Sequence, residues 1–306
     1  MTGELQIPPA TISRTFVVSK CSYFVDVQLW PLQSKMDPER WLSNFRDSEM
    51  DHAVHLLGAF LYYSHALVEE LFKAAFQKLS SRIGCSDKPY EQSQAHWNQF
   101  RRNIIVTYVT GKRPSETDSG YIFARLARQA LGIPENQIMS PIHALEALIS
   151  DSPRPVIFVD DFVGSGDQCI STWHREMKLS DGTVTSFAKC SAAISTSFFY
   201  CPVVCTETGR QKIARLCSQL QLCPAHCLPN RYSVISENSI VWPERLRASA
   251  HDFLLTTSRR AGIARGRWAG YRNLGLALAF EHCVPNATLP LFYHEQNGWH
   301  PLVRRT

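Results

Sequence analysis

The sequence predicts an α/β protein: a parallel sheet flanked by helices, with an N-terminal helical module. Three observations carry this. The run Pro155-Val156-Ile157-Phe158-Val159 passes straight into Asp160-Asp161, a loop with two glycines and a helix-compatible stretch over 169–177. An apolar run of that length, rich in β-branched residues and bounded by proline and glycine, reads as a fully buried strand. Strand, tight loop and helix begin a βα unit of a parallel sheet. A second strand-like run, 104–109, ends at Thr110-Gly111 and leads through a polar loop into a helix. Ahead of both, apolar residues recur at three- and four-residue spacing from Met50 to Leu79, the period of an amphipathic helix.

From the N-terminus, residues 15–18 and 24–30 look like two short strands, an arm or hairpin within residues 1–36. Asp37-Pro38-Glu39 starts a helix, with Asp37 as N-cap and Pro38 at the first position. Trp41, Leu42 and Phe45 are its expected buried residues. Asp47-Ser48-Glu49 restarts a long helix that runs to Leu79, and residues 80–98 are polar and connecting. Residues 37–98 thus form the helical module. His52 and His55 lie one turn apart with no third ligand nearby and read as packing or surface histidines.

Residues 99–306 form the α/β domain and its C-terminal tail. The expected order is a strand over 104–109, a helix over 121–131 closed by Gly132 and a helix over 143–149. The central strand follows, then strands over 190–195 and 203–206, helices over 208–220 and 244–257, and a buried strand over 274–280. Strand tips of one parallel sheet share an edge, so Thr206 and Glu207 are expected to face the loop after Asp161. Cys201, Cys205, Cys217, Cys223 and Cys227, with His226, contain no Cys-x-x-Cys pair and read as buried free thiols.

A length of 306 residues suits one large domain or two smaller ones. Hydrophobic residues at 44% and charged residues at 19% describe a globular chain. A net charge of +5 permits a polyanionic partner without requiring one. Ten scattered cysteines and an N-terminus without a basic and then apolar segment point to reduced thiols in the cytoplasm. No run of about 18 uncharged apolar residues exists, so no membrane association is expected.

The chemistry concentrates around Asp160 and Asp161, placed at the strand tip on successive and therefore opposed side-chain directions. The backbone amides of Val163, Gly164, Ser165, Gly166, Asp167 and Gln168 and the first helical turn form an anion cradle. The glycines let that backbone approach closely. A carboxylate beside a phosphate cradle suits ribose hydroxyls or a hydrated Mg2+. The pattern therefore reads as a 5-phosphoribosyl or ribonucleotide site, with Asp160 and Asp161 as Mg2+ ligands and no tightly bound organic cofactor. A βα turn with two solvated carboxylates is the plain alternative.

This segment resembles the phosphoribosyl-pyrophosphate (PRPP) motif of type I phosphoribosyltransferases: four hydrophobic residues, Asp-Asp, and a glycine-rich loop. The resemblance implies that the acidic pair contacts the ribose hydroxyls and the loop holds the 5′-phosphate. Only Ser165 supplies a hydroxyl here, and Asp167 adds a negative charge where a phosphate is expected. In that family the loop after the first core strand helps to bind pyrophosphate. Asp118, Ser119 and Gly120, with Arg125 downstream and the cations Lys112 and Arg113 upstream, are placed like that loop. A capped helix start needing no ligand explains the same residues.

Residues 258–272 carry five arginines, including Arg267, with Trp268 and Tyr271 between them. They could close over phosphates, grip a nucleic-acid strand, or form a solvated basic loop. Glu281 and His282 follow the last buried strand and are the candidate acid–base groups. His282 reads equally as a capping or core histidine. The tail Pro285-Asn286-Ala287-Thr288-Leu289-Pro290 and the closing Trp299-His300-Pro301-Leu302 resemble phosphoribosyltransferase-like effectors of bacterial conflict systems, including anti-phage retrons. That resemblance implies a toxic effector restrained by operon partners, a reverse transcriptase with its RNA/DNA and in some systems a winged-helix protein. Three functions stay open: phosphoribosyl transfer or N-glycosidic cleavage on a ribonucleotide or PRPP-like substrate, nucleotide sensing without turnover, and a nucleic-acid-associated subunit. The oligomeric state is open as well.

Overall fold

The computed structural model describes residues 12–85, 87–111, 119–150 and 153–305. The chain divides into two compact units, one of the residues up to Leu67 and from Pro229 onward, the other Val68–Leu228. This division falls elsewhere than the expected boundaries after residues 36 and 98. The first and last segments of the chain share one core instead.

Helix α1 spans Arg14–Asp26, where two strands were expected. Ser13 caps it, its Oγ accepting the Phe16 N–H at 3.1 Å. Val17 and Cys21, one turn apart, are its buried residues. The β-branched and aromatic content that reads as strand is outweighed by this tertiary burial. Asp37 caps α2 (Pro38–Leu42) as expected, its Oδ1 accepting the Arg40 N–H at 3.0 Å. The Trp41 indole donates to the Leu291 carbonyl at 2.8 Å and stacks on Phe292 with centroids 5.2 Å apart.

The single helix expected up to Leu79 is broken. Helix α3 covers Met50–Gly58, strand β1 covers Leu61–Tyr63, and α4 (His65–Gln77) and the short α5 (Leu79–Arg82) follow. The unit boundary falls in the first turn of α4. β1 pairs in parallel with residues 278–280, more than two hundred positions away, a contact that helical periodicity cannot register. His52 and His55 are packing histidines: both are buried, and the His52 Nε2 meets the Leu246 carbonyl at 3.2 Å.

The expected connector over 80–98 is largely helical. Helix α6 (Tyr90–Asn103) keeps a polar face to solvent and buries Phe100, which stacks with Trp97 at 5.5 Å. Strand β2 (Ile105–Tyr108), α7 (Ser119–Leu131), α8 (Pro141–Ser150), β3 (Val156–Val163) and α9 (Asp167–His174) come next. Gly132 closes α7 with φ +63°. β4 (Met177–Lys178) and β5 (Val184–Thr185) form a small antiparallel pair. The strand expected over 190–195 is instead helix α10 (Phe187–Ala193), because Ser186 caps the Lys189 N–H and Phe187 and Cys190 bury one face. β6 (Phe198–Thr206), α11 (Glu207–Leu216), β7 (Leu220–Leu222) and β8 (His226–Leu228) complete this unit.

Its sheet is wholly parallel in the order β2-β3-β6-β7, with β8 pairing further along β6. Helices α8, α9 and α10 cover one face through Leu145, Leu148, Trp173 and Phe187. Helix α6 reaches the other face through Phe100, whose ring meets Phe199 at 5.9 Å. A sheet covered on both faces explains why all of β6 is buried and reads as one apolar run. In the other unit, α12 (Glu244–Arg260) and β9 (Leu278–Phe280) join the aromatic core of Trp41, Phe45, Phe253 and Phe292. No helix among the described residues is long and apolar enough to cross a membrane.

Candidate functional site

In a parallel sheet the strand ends share one edge, so the segments after Tyr108, Val163 and Thr206 lie together. The loop 164–166 is the centre of that edge. Gly166 adopts φ +78° and caps α9, a conformation that favours glycine. The first turn of α11 presses on the loop: a Cβ on Gly209 would stand 2.3 Å from the Gly164 carbonyl oxygen. Thr206 ties the two loops together. Its hydroxyl donates to the Gly164 carbonyl at 2.5 Å and accepts the Gly209 N–H at 2.9 Å. Thr206 therefore meets the loop as expected, whereas the Glu207 carboxylate turns back on its own helix. It is held by Arg210 and Gln211, and the Arg210 pairing draws its pKa down to about 2.

The negative charge on Asp167, an awkward feature for a phosphate loop, is paired with Lys212 of α11. Ser165 is engaged too, its Oγ accepting the Asp167 N–H at 3.4 Å. On the β2 side, Thr110 exchanges two hydrogen bonds with Thr172 of α9, at 3.0 and 3.2 Å. The Arg175 guanidinium donates to Thr110 Oγ1 at 2.6 Å and to the Gly111 carbonyl. These contacts pin the start of the segment that carries Lys112, Arg113 and Asp118, which themselves lie outside the described residues. Ser119 opens α7, and Gly120 packs so closely that a Cβ would come within 2.5 Å of the Val109 carbonyl oxygen.

Asp160 and Asp161 are not exposed at a strand tip. β3 continues to Val163, and both carboxyls are buried at 3% and 4% exposure. Asp160 Oδ2 accepts the Tyr200 hydroxyl at 2.7 Å and Oδ1 accepts the Asp161 N–H at 3.0 Å. The expected opposition of the two side chains does not isolate them, since the Asp161 charge acts on the Asp160 carboxyl. Burial, with the Asp161 charge added, pushes the Asp160 pKa well above the ordinary carboxylate range.

The sign of the linkage follows. The folded state holds a proton on Asp160 that the unfolded chain releases near pH 3.8. The stability from this group is full below that pH and is lost as pH rises toward the raised value. Asp160→Asn should therefore flatten the fall in melting temperature between about pH 4 and 7, while losing one of the two hydrogen bonds that the Asp160 oxygens accept. Thermal melts across that range check this. A variant with the wild-type slope would contradict it.

Arg267, Glu281 and His282 belong to the other unit. Glu281 Oε2 accepts the His65 N–H at 2.7 Å, capping the start of α4. The His282 ring packs on Phe280, with centroids 5.5 Å apart. Sequence reasoning missed Tyr200, Thr172, Arg175 and Lys212. Each lies remote in sequence from its partner, so no local spacing marks it.

A family model described as PRTase-CE matches residues 38–305. No curated protein matches the sequence. Among solved structures, the crystal structure of orotate phosphoribosyltransferase from Aeropyrum pernix is 14% identical, with a TM-score of 0.25. That match covers 42% of this chain and 62% of the enzyme's, less than two thirds of its length.

Proposed function

This chain belongs to the PRTase-CE family, and from that premise we propose that it acts on a ribonucleotide or PRPP-like substrate by phosphoribosyl transfer or N-glycosidic cleavage. One observation carries the reading. The Gly164–Gly166 turn, with its left-handed Gly166, opens α9 directly beyond the buried Asp160-Asp161 pair at the sheet edge. Asp167 does not oppose a phosphate there, because Lys212 offsets its charge.

Ribosyl transfer passes through a cation-like C1′, so the site needs a ribose anchor, a stabiliser for the leaving group and a group to handle a proton. Asp161 anchors the ribose hydroxyls, and Asp160 positions it by accepting the Asp161 N–H. The loop amides from Val163 to Gln168 and the Ser165 hydroxyl hold the phosphate. Lys112 or Arg113 stabilises the leaving group, and Asp118, Ser119 and Gly120 are the residues proposed for its pyrophosphate. Asp161 is the carboxylate to which Mg2+ would be assigned, and the ion would supply charge neutralisation at the phosphates.

At the finer level, the protein is proposed as the toxic effector of an anti-phage, retron-type system, restrained by a reverse transcriptase with its RNA/DNA and a winged-helix protein. A nucleotide sensor is the second reading. It is favoured by the Asp160 carboxyl, whose two oxygens are taken up by the Tyr200 hydroxyl and the Asp161 N–H.

Small-molecule mass spectrometry of cells expressing wild type beside an Asp160→Asn, Asp161→Asn double variant tests turnover. The expected result is one nucleotide pool that falls, or one ribosylated product that rises, with wild type alone. Identical profiles from soluble proteins would sink the enzymatic reading. Nucleotide-induced thermal stabilisation would then support the sensor.

A further inference from the structure

Between Phe253 and His294 the chain carries five arginines against a single acidic residue, Glu281. Arg260 is committed to structure: its guanidinium grips both Glu49 oxygens, at 2.5 and 2.6 Å, and the Asn44 carbonyl at 3.1 Å. Arg265, Arg267 and Arg272 are exposed, as is Arg305 near the C-terminus. Tyr271 is 46% exposed, and the Arg272 guanidinium lies 5.5 Å from its ring centroid. Arg305 sits 5.2 Å from the centroid of Tyr293 and donates to Asn286 Oδ1. The Asn286 carbonyl in turn accepts the Tyr271 N–H at 2.7 Å. Arg267 is within electrostatic reach of the Tyr293 hydroxyl. Three separate segments of one unit therefore converge on a surface of guanidinium groups interleaved with aromatic rings.

The backbone beneath that surface is held in a costly shape. Arg272 and Asn273 both adopt left-handed φ, at 55° and 53°. Neither is glycine, and such residues persist only where the surroundings over-determine them. Gly270 supplies the anchor. It has φ +73°, and a Cβ there would stand 2.6 Å from the Ala287 carbonyl oxygen. On this backbone Tyr271 and Arg272 are both exposed.

We propose that Arg265, Arg267, Tyr271, Arg272, Tyr293 and Arg305 form a binding surface for single-stranded nucleic acid. The guanidinium groups meet phosphates, and the exposed Tyr271 ring stacks on an unpaired base. Aromatic platforms with arginines tracking a backbone are the physical basis of sequence-tolerant single-strand binding. A membrane surface fits poorly, because Tyr271 is the one large apolar side chain exposed among the described residues after Ile240. A duplex offers no unstacked base for the ring. The proposal stands apart from the phosphoribosyl reading: it uses a different unit, and a failure of either leaves the other intact.

The test is fluorescence anisotropy of the full chain with a short labelled oligothymidylate, a matched abasic oligonucleotide, and vesicles of phosphatidylserine and phosphatidylcholine. Wild type should bind the oligothymidylate with a log–log salt slope of roughly −3, about −0.7 for each phosphate neutralised. Tyr271→Ala should weaken it roughly five- to a hundred-fold, the range for losing one stacked base. The abasic strand should bind wild type more weakly by a similar factor. Arg272→Gly separates function from folding. Glycine relieves the left-handed backbone, so the melting temperature should hold or rise while affinity falls and the salt slope flattens by about 0.7. Equal affinity for the abasic strand, preference for the vesicles, or unchanged binding by both variants would overturn the proposal.

Discussion

Asp161→Asn is expected to lower turnover by roughly 10²–10³-fold, while Asp160→Asn retains activity within about ten-fold. The two neighbours differ in their surroundings. Burial raises the Asp160 pKa and both its oxygens accept from protein donors, the Tyr200 hydroxyl and the Asp161 N–H; an amide there keeps one of these two bonds and leaves Asp161 itself unchanged. Asp161 is the carboxylate proposed to meet a ribose or a cation, and an amide there cannot carry that charge. The measurement is the rate of nucleotide consumption or product formation for each purified variant, with circular dichroism confirming the fold. Equal loss in both variants would mean that the acids act as one unit. No loss in Asp161→Asn would remove this pair from the chemistry.

The largest structural effect belongs to Gly209→Ala. The added Cβ would meet the Gly164 carbonyl oxygen at 2.3 Å and Val163 Cγ1 at 2.8 Å. The nearer obstacle is backbone and cannot rotate away, so the β3–α9 loop or the head of α11 must shift. Overpacking of this kind costs about 3 kcal/mol, which lowers the melting temperature by roughly 10 °C in a unit of this size. Gly266→Ala is the control: nothing lies within 4 Å of its Cβ position, and its melting temperature should stay near wild type. Thr206→Val should move in the direction of Gly209→Ala by about 1–2 kcal/mol, since it removes both hydrogen bonds between the loops. A Gly209→Ala protein that melts with wild type would show that the loop contact is loose. Lost nucleotide binding without lost stability would place the effect in the site alone.

Features governed by near neighbours were legible in the sequence. The run into β3, the left-handed Gly166 at the head of α9, the Asp37 cap and the Gly132 stop all depend on residues within a turn or a strand of one another. What failed was decided at a distance. Residues 14–26 have strand-like composition, yet they fold as a helix because Val17 and Cys21 find a core. Leu61–Tyr63 sits inside a helical period but pairs with Leu278–Phe280.

The chemical state of the site was equally hidden. Asp-Asp in a sequence is two exposed charges by default. Burial within a sheet covered on both faces and the adjacent Asp161 charge push the Asp160 pKa up, against the Tyr200 hydroxyl, whose hydrogen bond draws it down. Lys212 cancels Asp167, and Glu49 withdraws Arg260 from the basic patch. Local spacing therefore determined where the chain turns and which residue types gather at the turn. Only the tertiary structure decided which of those residues are charged and which are committed elsewhere. Burial and pairing act through space, between residues that the sequence sets far apart.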